Sequence, residues 1–146
     1  MMTTHPTDRA VRAPHQYLAL VVGVVYLLVG IVGFAVTGFD GFTEHDHDQK
    51  LLIFAINPLH NIVHVVIGLA GIALWSSDAR ARTYGWLLAI GYGAASIYGL
   101  IAVNNEDINV LNINGADNGL HIASTIVGLV IALWPRRDAR DGRPAR

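Results

Sequence analysis

The sequence contains no cysteine and few charged residues. Without cysteine, the protein has no disulfide, no thiol redox chemistry and no thiolate metal site. Charged residues make up only 14% of the 146 residues, against about 25% in ordinary soluble domains. A soluble helical bundle needs charges every few residues on its outer face, and this chain lacks them. The net charge of −1 gives no support to nucleic-acid binding.

Four long apolar stretches separate the charged blocks, and none of them contains Lys, Arg or Glu. They are residues 17–36, 59–75, 84–103 and 119–134. Each is close to the roughly 20 residues that a membrane-spanning helix needs, provided that the second and fourth include the polar residues before them. The sequence therefore predicts an all-α fold, an integral membrane four-helix bundle. With those polar residues included, the predicted spans are about 17–36, 58–75, 84–103 and 115–134.

Basic residues indicate the side of the membrane on which each connection lies. Arginines precede the first span, lie between the second and third, and follow the fourth: Arg9, Arg12, Arg80, Arg82, Arg136, Arg137, Arg140, Arg143 and Arg146. The other two connections are acidic and carry one basic residue, Lys50. Because positive residues stay inside, both termini are predicted to be cytoplasmic in the bacterial inner (plasma) membrane. We thus expect a cytoplasmic arm over 1–15, a transmembrane domain over 16–134 and a basic tail over 135–146.

A polar motif occurs twice, at the start of the second span and at the start of the fourth. Residues 57–64 read Asn-Pro-Leu-His-Asn-Ile-Val-His, and residues 114–121 read Asn-Gly-Ala-Asp-Asn-Gly-Leu-His. More weakly, Tyr26 of the first span, with a glycine seven residues on, recurs as Tyr92 of the third. The chain is therefore predicted to form two tandem helical hairpins in a pseudo-twofold relation. That symmetry brings both motifs together at the extracytoplasmic surface.

Helix geometry alone explains part of each motif. Asn57 and Asn114 are suited to cap a helix, because a side-chain oxygen can accept hydrogen bonds from free backbone N–H groups. Asp117, in the first turn, complements the positive end of the helix dipole. The other polar residues are not needed for capping and could form a structural polar cluster or a ligand site: His60, Asn61, His64, Asn118 and His121.

Three interpretations of these residues stay open. In the favoured one, they form a hydrogen-bonded cluster that joins spans two and four, since polar side chains often hold membrane helices together. In the second, a zinc or iron ion is bound by His60, His64, Asp117 and His121. In the third, His64 and His121 are axial ligands of haem b, although its propionates would find only Lys50 on that side.

The loop before the first motif holds a further metal candidate. His45 and His47 alternate with carboxylates over residues 44–48, a pattern that can capture a divalent metal loosely. Such a charged run is more typical of a solvated loop. No glutamate is placed as a general base in a metal-hydrolase motif, so we assign no catalytic residue and do not expect an enzyme.

The two motifs and the four spans around them resemble the domain of unknown function 4383 family of small, largely actinobacterial membrane proteins. The resemblance covers roughly residues 16–134. It implies a four-span inner-membrane protein and supplies no activity. The topology is also similar to that of DoxX-type membrane proteins. We expect a scaffold or accessory subunit that acts with a membrane-protein partner or as a homo-oligomer; the alternative is a metal- or haem-binding redox or sensor protein.

The arginine distribution makes a direct prediction about topology. A reporter fused after Arg146 should read as cytoplasmic, and one inserted near Glu44 should read as external. Paired fusions to green fluorescent protein and alkaline phosphatase measure both locations. The opposite pair of signals would overturn the orientation and place the motifs at the cytoplasmic face.

Overall fold

The computed structural model describes residues 12–135, and four helices account for most of them. The helices are α1 Pro14–Thr37, α2 Pro58–Leu74, α3 Asp78–Ala102 and α4 Gly115–Leu133. A short antiparallel hairpin of β1 (Lys50–Leu51) and β2 (Phe54–Ala55) lies between α1 and α2, and a 3-10 turn (Glu106–Ile108) lies between α3 and α4. The all-α prediction is confirmed. Most of the expected N-terminal arm and basic tail lie outside the described residues.

Burial in this bundle is reversed relative to a soluble protein. Large apolar side chains lie on the outer surface, where Ile90, Ile97 and Leu100 are each about two-thirds exposed. Polar side chains are buried instead, among them His15, His60, Asn61, His64, Asp117, Asn118 and His121. Such a surface is suited to a lipid bilayer, because hydrocarbon tails solvate apolar groups and not polar ones.

Three of the helices, α1, α3 and α4, are long and apolar enough to cross a membrane. Helix α2 has 17 residues and is about 26 Å long at 1.5 Å per residue. That length is less than the roughly 30 Å of a hydrocarbon core, so α2 alone does not fill it.

Each helical hairpin is held by contact between backbones. Helix α1 packs along α2, and α3 along α4, whereas contacts between the two hairpins are much sparser. A Cβ placed on Gly23 would lie 2.8 Å from the nitrogen of Ile72, and one on Gly128 would lie 2.5 Å from the nitrogen of Ala89. Any side chain larger than hydrogen would push the paired helices apart. Small residues serve this purpose in membranes, where dispersion between close backbones replaces hydrophobic association.

The two hairpins repeat each other position by position, as the pseudo-twofold prediction requires. Each residue of α1 corresponds to the residue 66 positions later, and each residue of α2 to the one 57 positions later. At the end opposite the motifs, the Gln16 side chain donates to the Trp75 carbonyl at 3.2 Å. The corresponding Arg82 donates to the Ala132 carbonyl at 2.9 Å. A buried core of Ala19, Tyr26, Ala81, Tyr84, Leu88, Tyr92 and Ile131 fills the space between the hairpins.

One pair of corresponding contacts has exchanged large and small residues. In the first hairpin, the backbone and Cβ of Leu27 lie directly against Gly68. The corresponding residues of the second hairpin are Gly93 and Thr125, and a Cβ on Gly93 would lie 3.8 Å from Thr125 Cγ2. The glycine lies on the second helix of the first hairpin and on the first helix of the second hairpin, so each hairpin has one glycine at this level.

The close contact of α3 and α4 predicts opposite effects for two glycine substitutions. Gly128→Ala should lower the free energy of unfolding by about 1–3 kcal/mol, because the new Cβ meets the backbones of Ala89 and Gly85. A Cβ on Gly91 would have no described atom within 4 Å. Gly91→Ala should therefore be neutral, or should stabilise the fold by up to about 1 kcal/mol through helix propensity. Reversible unfolding in mixed micelles measures both. Equal effects would contradict the backbone contact.

Candidate functional site

Each polar motif begins a helix. The Asn57 side chain accepts a hydrogen bond from the His60 backbone N–H at 2.9 Å and caps α2. The Asn114 side chain accepts from Ala116 at 2.9 Å and from Asp117 at 3.1 Å and caps α4. In return, Asp117 Oδ2 accepts from the Asn114 backbone N–H at 2.9 Å, which completes a capping box. These bonds fix the direction in which each motif enters the bundle.

The second asparagine of each motif faces the neighbouring helix of its own hairpin. Asn61 Nδ2 donates to Thr37 Oγ1 at 2.9 Å, and its amide lies against Gly33, where any side chain would overlap it. The Asn118 amide lies against Gly99 in the same way. The expectation that both asparagines join α2 to α4 is therefore corrected. Gly33 on α1 and Gly99 on α3 leave room for the two amides, so each asparagine joins the two helices of one hairpin.

Five aromatic rings form a closed cluster across the interface of the two hairpins. The ring of His64 lies 5.2 Å from that of Tyr26, and the ring of Tyr92 lies 5.3 Å from that of His121, measured between centroids. Tyr26 and Tyr92 stack on each other at 5.2 Å. His60 closes the circuit, 4.5 Å from His64 and 6.0 Å from His121. All four helices contribute to this five-ring cluster, and its spacings suit favourable aromatic packing.

Pseudo-symmetry is broken at two positions beside the five-ring cluster. The residue that corresponds to His60 is Asp117, whose Oδ2 accepts from the Ala55 backbone N–H at 3.1 Å and so holds strand β2 against α4. The Tyr26 hydroxyl and Ser124 Oγ lie 2.5 Å apart and link α1 to α4. The residue that corresponds to Ser124 is Ile67, which offers no hydroxyl to the second tyrosine. The two halves therefore differ in their polar contacts.

Two buried asparagines of the α3–α4 loop make structural hydrogen bonds, Asn112 to the α1–α2 loop and Asn109 within its own loop, and the motif analysis missed both. Asn112, in the left-handed region with φ of 55°, donates to the carbonyls of Asp46 at 2.7 Å and Ile56 at 2.9 Å. Asn109 exchanges two hydrogen bonds of 2.8 Å with the backbone of Ile113. The only signal in the sequence is the density of asparagine between α3 and α4. By itself that density is typical of a solvated turn.

The metal candidates do not converge on one point. Over residues 12–135, no group of three or more His, Asp or Glu side chains is placed to hold a metal ion. The carboxylate of Asp117 is already hydrogen-bonded to two backbone N–H groups. In the α1–α2 loop, the rings of His45 and His47 lie 4.3 Å apart, and His47 Nε2 lies 3.2 Å from the Ile113 carbonyl. His47 is thus engaged with the α3–α4 loop, whereas His45 contacts the ring of His47.

Comparison with known proteins identifies a family. A family model described as "Domain of unknown function (DUF4383)" matches residues 16–134. No curated protein and no solved structure shows significant similarity to the chain. The matched region contains both motifs and nearly all of the four helices, so the site lies inside the part that defines the family.

The five-ring cluster predicts which introduced cysteines can be bridged. In this cysteine-free chain, His60→Cys with His121→Cys should cross-link through a short bis-thiol reagent, because the two rings meet across the interface. Asn61→Cys with Asn118→Cys is the matched control and should cross-link poorly, because these side chains face α1 and α3. Intramolecular bridges are scored by mass spectrometry. Efficient bridging of the control pair alone would contradict the arrangement.

Proposed function

Since the chain belongs to the DUF4383 family, whose function is unknown, we propose its role from the site itself. We propose that the protein is a scaffold or accessory subunit of the bacterial inner membrane, in which the five-ring cluster locks two helical hairpins into one rigid bundle. The arginine distribution supports cytoplasmic termini and an extracytoplasmic position for the cluster. A partner membrane protein or a second copy of the chain would bind the rigid bundle.

The observation that carries this proposal is the position of the five-ring cluster. Contacts between the two hairpins are much sparser than those within each hairpin, and the apolar core between them gives little preference for one arrangement of helices in lipid. The ring contacts across the interface do give such a preference, because moving either hairpin would separate the rings. The cluster takes rings from all four helices, and the Tyr26–Ser124 bond adds a direct link between α1 and α4. These contacts suit a structural role.

The outer loops support the same role. Asn57 Nδ2 donates to the Val110 carbonyl at 2.9 Å, and Asn114 Nδ2 donates to the Ile53 carbonyl at 2.9 Å. Together with the bonds of Asn112, these contacts tie each loop to the start of the other hairpin's motif helix. A loop layer held by buried amides loses little entropy when a partner binds, because it is already ordered.

Metal binding is the second candidate function, and one observation favours it. The Nδ1 atoms of His60, His64 and His121 make no hydrogen bond with any described residue. Buried polar atoms usually have a partner, and a zinc or iron ion would provide one. Asp117 would have to release its backbone partners to serve as the fourth ligand. Haem b held by His64 and His121 is the remaining alternative, with Lys50 as its basic partner.

The structural role predicts energetic coupling between Tyr26 and Tyr92. In a double-mutant cycle with Tyr26→Leu and Tyr92→Leu, we expect a coupling of about 0.5–1.5 kcal/mol, because the two rings stack across the hairpin interface. The control cycle pairs Tyr26→Leu with Tyr98→Leu, since the Tyr98 hydroxyl instead bonds the Ile108 carbonyl. Unfolding in mixed micelles supplies the free energies. Additivity in both cycles would refute the lock.

Metal analysis of the purified protein distinguishes the structural role from the ligand site. Purified protein is analysed for zinc and iron and for a Soret band, and its stability is measured with and without added metal. The structural role predicts that unfolding is independent of zinc and iron. Stoichiometric metal that disappears in His64→Leu and His121→Leu would assign the site to a ligand instead.

A further inference from the structure

A cavity of about 270 Å³ lies beside the five-ring cluster, in the groove between α1 and α4 and beneath the β1–β2 hairpin. Its wall is mainly apolar and includes Val22, Val25, Val29, Leu51, Phe54 and Leu120. Three side chains with polar atoms also line it: Tyr26, His64 and Asp117. Two of these come from the repeated motifs, so the cavity reaches the polar interior of the bundle.

The mouth of the cavity faces the lipid. Val21 and Val25 line it and are also 57% and 51% exposed on the outer surface of α1. A molecule with an apolar tail can therefore enter from the hydrocarbon layer, past Val21 and Val25. The volume lies near the lower end of the range for small-molecule pockets, which is roughly 300–1,000 Å³. It can hold one compact head group, with a tail left outside among the lipids.

His64 gives the cavity a polar contact without a partner. The residue is 4% exposed, and its Nδ1 atom makes no hydrogen bond in the part of the chain that the structure describes. A buried imidazole without a partner is costly, and its nitrogens can either donate to a carbonyl or accept from a hydroxyl. A ligand head that carries such a group would remove this cost.

The remaining wall restricts the head group further. Among the described residues no Lys or Arg lines the cavity, so a phosphate or carboxylate head would be left without a counter-charge. The one carboxylate in the wall, that of Asp117, already accepts from two backbone N–H groups and does not call for a cationic head. Tyr26 and Phe54 present aromatic rings, which favour a flat head that can pack against them. The chemistry therefore selects a neutral, planar head with hydrogen-bonding oxygens.

We propose that this cavity binds a single-tailed lipid with a neutral, planar head that carries carbonyl or hydroxyl groups, the class that includes the isoprenoid quinones. The head hydrogen-bonds to His64 and packs against Tyr26 and Phe54. The tail passes between Val21 and Val25 into the bilayer. This binding site goes beyond the structural role, which requires no ligand.

Decylubiquinone is the test ligand, titrated into protein held in phosphatidylcholine nanodiscs. We expect saturable binding at one site per chain, together with a rise in the melting temperature. Decanoate, with a charged head, and decane, with none, should not saturate at the same concentrations. Absence of saturable binding of decylubiquinone, or equal binding of decanoate, would overturn the proposal.

Pseudo-symmetry supplies a matched control for blocking the cavity. Leu120→Phe should weaken decylubiquinone binding at least about tenfold by filling the cavity. Val63→Phe alters the corresponding position of α2, which is also half-buried and does not line the cavity, and should change the affinity less than about twofold. Equal effects of the two substitutions would mean that the ligand binds elsewhere.

Two further pairs separate ligand binding from folding. Val25→Trp should block the mouth, whereas Val24→Trp should not, and both positions are exposed enough to accept the larger ring. His64→Phe should weaken binding by about tenfold through the lost hydrogen bond, whereas His121→Phe changes the five-ring cluster equally without touching the cavity. Equal binding by the members of either pair would overturn the proposal.

Failure of this site and failure of the structural role are distinguishable. The structural role is measured as coupling between Tyr26 and Tyr92 in the absence of ligand, and the binding site is measured through positions 24 and 25. Coupling between the tyrosines without ligand binding would support the structural role and contradict the binding site. Saturable binding without coupling between the tyrosines would support the binding site and contradict the structural role.

Discussion

Contact between helix backbones determines where every other group in this bundle can lie. Gly23 lets α1 approach α2, and Gly128 lets α4 approach α3, to a distance that no larger side chain permits. At that distance the Asn61 amide lies over Gly33, and the ring of Tyr26 contacts the ring of His64. In a membrane, where helices gain little from apolar burial against each other, close packing of this kind decides the geometry of the site.

Polar groups in the bundle serve two levels of structure. Asn61 and Asn118 act within a hairpin, where each amide fills the space that a glycine leaves on the adjacent helix. The histidines and tyrosines act between hairpins, because their rings are long enough to reach the central interface. Asp117 belongs to neither level, since it holds strand β2 of the α1–α2 loop. The repeated motif therefore has several structural tasks and not one.

The sequence predicted the helices and the repeat well, because apolar runs and equal spacings are local signals. The correspondence of Tyr26 with Tyr92 followed from spacing alone and holds in the structure. The partners of Asn61 were not predictable, because the direction of an amide depends on which neighbouring helix offers a glycine. Asn112 lies in a loop without periodicity, and residues 51–56 were too short to assign as a hairpin. The cavity depends on that hairpin and was therefore invisible at the level of the sequence.

Covalent connection of the two hairpins releases them from a rule that binds a symmetric dimer. Two identical chains must present the same residue on both sides of their axis, so a change that helps one side is imposed on the other. In this chain His60 completes the ring cluster, whereas its counterpart Asp117 holds a loop. Leu27 and Gly93 likewise differ while each hairpin keeps its small residue. Two copies of the hairpin in one chain thus permit each copy to specialise, and the polar contacts can be asymmetric although the pairing of the helices repeats.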